Sequence, residues 1–317
     1  MPAEALHDCA QVFSATLLEL AEDDERICIV INDSAETHHA TAFAERHPER
    51  IVDVGIAEQN MVGVAAGLAN GGRRAFVHSA SCFLSARAME QVKDDVAYER
   101  ADVTLCGFVS GMAYGALGGT HHSNEDLAWM RAIPNLRVAA PGSPRDTAAV
   151  VRTLVAEGGP AFVRILSKTK VPELFGADHA FQFGRAAWLA HGTDVTLVGT
   201  GLTTSRLLRA SELLERDGVS AGVLHMGSIS PIDEDAIVAA VEESGRLAVA
   251  EEHVTSGGLG GAVAEVVVRT RPAPVLSLGV PDVFAPIGPP AWLHEQFGLT
   301  AEALAERVGA WLDGGTR

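Results

Sequence analysis

Residues 53–60 read DVGIAEQN, and the run that follows, MVGVAAGLA at 61–69, is almost entirely small or apolar. The pattern predicts a strand ending at Asp53, a turn at Gly55 and a helix beginning near Ile56. Glu58 then falls in the first helical turn, where a negative charge offsets the helix dipole. The dipole accounts for the place of this acid but not for its Gly- and Ala-rich surroundings. Working outward, the same alternation recurs on both sides. Short apolar or β-branched runs predict buried strands at 27–31, 74–78, 103–108, 136–140 and 161–166. Helical patterns fill the gaps at 5–21, 58–69, 84–98, 124–131 and 144–156. Ser123 or Asn124 is placed to cap the fourth, and Ser143 followed by Pro144 opens the fifth in N-cap and N1 order. Strands separated by helices imply a parallel sheet covered on both faces.

Pro172, Gly176, Gly184 and Gly192 interrupt this rhythm between 168 and 193, a connection to a second unit. There the alternation resumes, with strands at 194–199, 220–224, 246–251 and 275–278. The expected fold is α/β in two domains, 1–175 and 185–317, each with a mostly parallel sheet flanked by helices. The chain of 317 residues, 47% hydrophobic, is long enough for two such cores. A formal charge of −17 without a basic cluster excludes a nucleic-acid partner. Cys9, Cys28, Cys82 and Cys106 are widely spaced and form no CxxC pair, which suits apolar fillers in a reducing compartment. The N-terminus carries no apolar signal core and no run is long enough to span a bilayer, so no membrane role and a cytoplasmic location are expected.

Two glycine-rich pieces, GTGLTTS at 199–205 and GGLGG at 257–261, sit between a strand and a helix, where amides can hold a phosphate. Neither matches a dinucleotide or Walker fingerprint, and tight βα turns are expected instead. In GGTHHSNEDLAWMRAIPN, 118–135, His121 and His122 follow a flexible Gly pair. Adjacent histidines diverge and have no HxxxH or Cys partner, so no metal site is expected. A histidine on a loop at the strand ends of a parallel sheet is suited to proton transfer or hydroxyl recognition.

In order along the chain, DVGIAEQNMVGVAAGLA, RAMEQVKDDVAY, GTHHSNEDLAWMRAIPNLRVAAPGSP, GSISPIDEDAI and AEEHVTSGGLGGAVAEVV resemble the C-terminal half of a transketolase. The resemblance covers nearly the whole chain and extends more distantly to the beta subunit of pyruvate dehydrogenase. It implies thiamine diphosphate as cofactor, with its aminopyrimidine on the first domain. By this resemblance Glu58 donates a hydrogen bond to a pyrimidine ring nitrogen, which prepares the thiazolium carbon as a nucleophile. Desolvation beside Gly and Ala raises a carboxyl pKa and favours that protonated state. Phe83 matches the aromatic wall of the pyrimidine pocket, a flat ring suited to stacking. Asp33 matches an acid close to the cofactor, and His121 a histidine that faces the reacting hydroxyl or carbonyl. Lys168 lies where transketolases place an arginine on the sugar phosphate, supplying a point charge rather than a fork.

Family members hold Mg²⁺ and the diphosphate with a GDG motif and a downstream Asn, and no GDG occurs in these 317 residues. The resemblance thus implies one half of a split enzyme, active only with a separate GDG-containing subunit that holds Mg²⁺, as an α₂β₂ heterotetramer. The substrate side departs from the pattern. GALG replaces the usual GEDG, putting Leu117 where an Asp contacts a sugar hydroxyl. Val109 replaces a histidine, and Ala10 and Ala80 stand where an arginine and an aromatic are expected. The expected activity is transfer of a two-carbon ketol unit from a ketose or 2-oxo donor to an aldehyde. Glu58 and His121 are its catalytic residues, and Lys168, His122 and Leu117 face the substrate. Two alternatives stay open: acyl or glycolyl transfer to a lipoyl or carrier-protein arm, or 2-oxo acid condensation; and a non-catalytic scaffold or regulatory subunit.

Overall fold

Along β1 (Ile27–Ile31) every side chain is buried, and successive residues enter opposite cores. Ile27, Ile29 and Ile31 pack with Phe13, Leu17, Phe76 and Phe108. Cys28 and Val30 pack with Met61, Val77 and Leu105 on the other side. This period of two, apolar on both faces, is what a strand covered by helices front and back requires. The computed structural model describes residues 5–314; residues 1–4 and 315–317, the outer ends of the two expected domains, lie outside the described residues.

The remaining strands are β2 (Ile51–Asp53), β3 (Arg74–Ala80), β4 (Val103–Phe108), β5 (Arg137–Ala139), β6 (Ala161–Arg164), β7 (Ala187–Ala190), β8 (Val195–Gly199), β9 (Ala221–His225), β10 (Ser228–Ser230), β11 (Leu247–Val254) and β12 (Val275–Val280). They form a seven-stranded sheet, β10-β5-β6-β4-β3-β1-β2, and a five-stranded sheet, β12-β11-β8-β9-β7. All pairs are parallel except β10 on β5 and β7 on β9. The helices are α1 (Cys9–Asp23), α2 (Thr41–Arg46), α3 (Glu58–Asn70), α4 (Ser81–Ala86), α5 (Met89–Gln91), α6 (Asp126–Arg131), α7 (Pro144–Glu157), α8 (Leu202–Arg216), α9 (Glu234–Ser244), α10 (Leu259–Thr270), α11 (Pro290–Gln296) and α12 (Ala301–Leu312). Two mostly parallel sheets flanked by helices are the α/β fold expected from the alternation.

Several local expectations are corrected. The single helix at 84–98 is α4, then α5 running into a π-helical stretch, Val92–Tyr98. Ser143 is the N-cap of α7 with Pro144 following at N1, as expected, but its hydroxyl makes no capping bond and donates to Glu173, whose carboxylate also accepts from the Arg145 amide. Ser123 likewise donates to Asp126 rather than capping α6. The amides of GGLGG that were candidates for a phosphate, Leu259 and Gly260, are both taken by the Glu251 carboxylate. Those two amides, already bound to an internal anion, are not free for another.

The two units share one apolar core, in which Leu105 and Phe162 lie with Val198, Val249 and Val263. Strand β10 crosses from the second unit to extend the first sheet. Around the seam, the Arg164 guanidinium donates to the Glu252 carbonyl (2.8 Å) and the Val254 amide to the Asn124 carbonyl (2.8 Å). The loop after β4 is fixed there too: the Met112 amide donates to Glu252 Oε1. Gly111 has φ +61°, and a Cβ there would lie 2.5 Å from the Glu252 carboxylate, so only glycine permits this approach. The second unit thus sets the position of the loop that carries His121. The four cysteines are buried and unpaired. Among the described residues, no helix is long and apolar enough to cross a membrane.

Candidate active site

Strands β4, β3 and β1 are neighbours in the first sheet, and ligands of open parallel sheets bind beyond such carboxyl ends. The backbone is unusual along this edge. Asp33 after β1 (φ 66°), Val109 after β4 (φ 52°) and Lys168 beyond β6 (φ 60°) all adopt the left-handed region. For a β-branched valine that conformation is strained, and it persists only where its surroundings impose it. Here the Val109 amide donates to Ser167 Oγ at 3.2 Å.

Glu58 opens α3 and is 1% exposed. Asn32, at the end of β1, donates to Glu58 Oε1 at 2.8 Å, and Arg87 donates to Oε2 at 2.7 Å. Burial pushes this carboxyl up, but the hydrogen bond from Arg87, with that from Asn32, outweighs it, and the pKa lies below the ordinary glutamate value. This corrects the expectation of a protonated acid: Glu58 is a carboxylate in this chain because a guanidinium sits on it. Arg87 also covers Phe83, its guanidinium carbon 4.4 Å from the ring centroid. The two residues are four apart at the end of α4, which places them on one helical face.

From Phe83 the contacts continue toward the second unit. His121 meets Phe83 edge-on at 5.3 Å and Tyr114 at 5.8 Å, while its Nδ1 lies 2.9 Å from Thr120 Oγ1. Lys168 Nζ stands 4.6 Å from the Tyr114 ring centroid. Beyond it opens a cavity of about 630 Å³, within the usual size range for small ligands, lined by Tyr114, Leu117, Lys168, Ile287 and Pro289. Leu117 is half-exposed on its wall.

Glu58, Phe83, His121, Leu117 and Lys168 therefore lie along one track. His122 makes none of these contacts; it is buried, both ring nitrogens are unpaired, and burial pushes its pKa down. Asp33 is exposed, and its amide donates to Asp53 Oδ1; its neighbour Asn32 is the residue that touches Glu58. Ala10 and Ala80 are both buried in the packed interior, so neither marks an open position that an arginine or aromatic has vacated. Sequence reasoning missed Asn32, Arg87, Tyr114 and the loop around Ile287. The spacing of Phe83 and Arg87 was a usable signal for the second of these.

Thiamine diphosphate, implied by the resemblance, can be tested against these residues. A planar, nitrogen-bearing guanidinium already lies on the Phe83 ring and against Glu58 Oε2, so the cradle accepts a flat nitrogen group. The Asn32 side-chain oxygen, Oδ1, beside it is buried with no hydrogen-bond partner. Such an acceptor suits a ligand N–H. Among the described residues there is no cluster of three or more His, Cys, Asp or Glu that could hold a metal ion.

Comparison with known proteins agrees with this frame. Residues 7–172 match the transketolase pyrimidine binding domain, and residues 184–304 the transketolase C-terminal domain. The chain is 39% identical to one of the subunits of an apulose-4-phosphate transketolase of Phocaeicola vulgatus, over 94% of this chain and 95% of that one. It is 37% identical to a 6-deoxy-6-sulfo-D-fructose transketolase subunit of a Clostridium species, over 91% and 89%. A solved split-gene transketolase, described as an inactive beta4 tetramer, superposes with a TM-score of 0.87 at 35% identity, covering 96% of this chain and 98% of that one. The chain belongs to the transketolase family, whose members depend on thiamine diphosphate.

Proposed function

We propose that this chain is the pyrimidine-binding subunit of a two-subunit transketolase, moving a two-carbon ketol unit from a ketose or 2-oxo donor to an aldehyde. The observation that supports this most directly is a 1% exposed Glu58 at the carboxyl edge of the sheet, bridged by Arg87 to the Phe83 ring. A scaffold subunit has no use for a buried acid held through an arginine against an aromatic ring. Near-complete coverage of relatives named as separate subunits supports the split, with residues 1–175 and 185–317 as the two domains. The partner carries the GDG motif and holds Mg²⁺ and the diphosphate, and the pair assembles as α₂β₂.

When bound, thiamine diphosphate supplies the carbon nucleophile. Glu58 holds a proton toward the pyrimidine ring nitrogen, and Phe83 packs on the flat ring. Asp33 stays near the cofactor by analogy with the family. His121 moves a proton at the substrate hydroxyl or carbonyl oxygen, with His122 behind it and Lys168 supplying charge for an anionic terminus. Leu117 and Ile287 line the cavity with apolar surface, which cannot pair a buried hydroxyl. This feature favours donors or acceptors poorer in hydroxyls than the common pentose phosphates.

Reconstitution tests the reading. This chain alone, with cofactor and Mg²⁺, is expected to show no ketol transfer, and addition of a GDG-containing partner is expected to restore it. Turnover by the chain alone, or none with any such partner, would overturn it.

A further inference from the structure

Arg87 is not among the residues carried over from the family, yet it occupies both surfaces on which the aminopyrimidine is proposed to rest. Its Nη1 binds Glu58 Oε2 at 2.7 Å and its guanidinium lies over Phe83. It reaches in from the outside: its side chain is 48% exposed, against 1% for Glu58. We propose that Arg87 is a displaceable occupant of the pyrimidine position, neutralising Glu58 in the cofactor-free subunit and swinging into solvent when the cofactor enters. The proposal rests on the functional reading above and adds a positioning residue to it.

The physical case is one of exclusion. A guanidinium and a pyrimidine are both flat, and both stack on aromatic rings. They cannot share one face of Phe83 and one oxygen of Glu58. An ionised carboxyl so deeply buried is costly without a cation, and Arg87 removes that cost while the site is open. A cofactor that displaces Arg87 leaves Glu58 desolvated and without its cation. Both changes drive the carboxylate to take one proton from solvent, giving the donor that the pyrimidine nitrogen requires. Cofactor entry and proton uptake by Glu58 are thereby linked. The charged group on Glu58 is Arg87, from the turn after α4; Asn32, from the end of β1, is neutral, and His121 reaches it only across Phe83.

The test is calorimetric titration of thiamine diphosphate with Mg²⁺ into the reconstituted two-subunit complex, in buffers of different ionisation enthalpy. The wild-type complex is expected to take up close to one proton per cofactor near neutral pH, and Glu58→Gln none. In Arg87→Met, Glu58 is protonated beforehand, so uptake falls and affinity rises a few-fold, on the order of the contribution of a half-exposed ion pair. Arg87→Lys, which keeps the charge without the planar fork, is expected to retain uptake at unchanged or tighter affinity, and covers failure of the methionine variant to assemble. Weaker binding in both variants with proton uptake unaltered would make Arg87 a fixed support and overturn the proposal. If the wild-type complex binds no thiamine diphosphate, the functional reading itself fails, and the proposal with it.

Discussion

The first domain buries two carboxylates on two arginines, and the pairs differ in one respect. Asp126 and Arg164 are 0% and 3% exposed, whereas Glu58 and Arg87 are 1% and 48%. Asp126 accepts from Arg164, Ser81, Ser123 and the Leu127 amide, and Arg164 closes on the carbonyls of Ser123 and Glu252. Every partner is internal, and the pair ties α6 to β6 and to the second unit. Glu58 has two side-chain donors, one of them free to leave. Burial alone does not separate a structural acid from one available for chemistry; the freedom of its partner to leave does.

The largest expected effect breaks the comparison if it fails. Arg164→Met strands a buried Asp126 and is expected to cost about 3–5 kcal/mol of stability. Arg87→Met is expected to cost below about 1 kcal/mol, because its guanidinium is half in water and Glu58 can take a proton. Denaturant midpoints of the two variants measure this, and similar losses would mean both pairs are structural.

Next in size is the chemical consequence. Glu58→Gln keeps the shape and the Asn32 contact but removes the ionisable proton. Hydrogen–deuterium exchange at the reacting carbon of bound cofactor is expected to slow by roughly two or more orders of magnitude in the reconstituted complex. An unchanged rate would show that Glu58 is only a second Asp126.

How far the sequence disclosed this arrangement follows the range of the forces involved. Glu58 was legible because its turn, helix start and small-residue surroundings are local. The alternation of apolar strands and helices likewise disclosed both sheets. Arg87 was not legible as the partner of Glu58, since their contact joins residues 29 apart, and that contact reverses the expected protonation. Strand β10 is three residues with no usable period, and it pairs with β5 only because the second unit carries it there. The π-helical stretch at Val92–Tyr98 has the same composition as an ordinary helix. Ala10 was compared with an arginine, but its burial at the start of α1 is a tertiary fact, and it makes arginine there a destabilising change.

Leu117 offers a smaller and more specific test on the open side of the comparison. It is half-exposed on the cavity wall, so Leu117→Asp adds a charge without burying it. The relative kcat/KM for a hydroxyl-rich ketose phosphate over a hydroxyl-poor 2-oxo donor is expected to rise by about 10- to 100-fold, the 1–3 kcal/mol range for one pocket group. An unchanged ratio would mean that the partner subunit, not this wall, reads the donor.

The smallest effect tests the closed side through pH. Glu252 is buried, with His294 Nε2 at 2.7 Å and the Met112 amide donating to it. Burial alone would raise its carboxyl, but the hydrogen bond and charge of His294, with Arg164 and Arg206 nearby, hold it at about 2. A depressed folded pKa contributes stability that is present above the ordinary glutamate value of 4.5 and lost as pH falls from there to about 2. Glu252→Gln is therefore expected to flatten the acid limb of the stability curve within that window. The change in slope should not exceed one proton, about 1.4 kcal/mol per pH unit. Asp24, also held at about 2, titrates over the same range in both proteins and cancels in the difference. The loop from Gly111 to His122 is anchored on Glu252, so the same acidification should loosen the His121 edge of the site. Denaturant midpoints from pH 5 down to pH 2.5, wild type against variant, are the measurement; parallel curves would show that Glu252 titrates alike folded and unfolded, and that the anchor is steric rather than electrostatic.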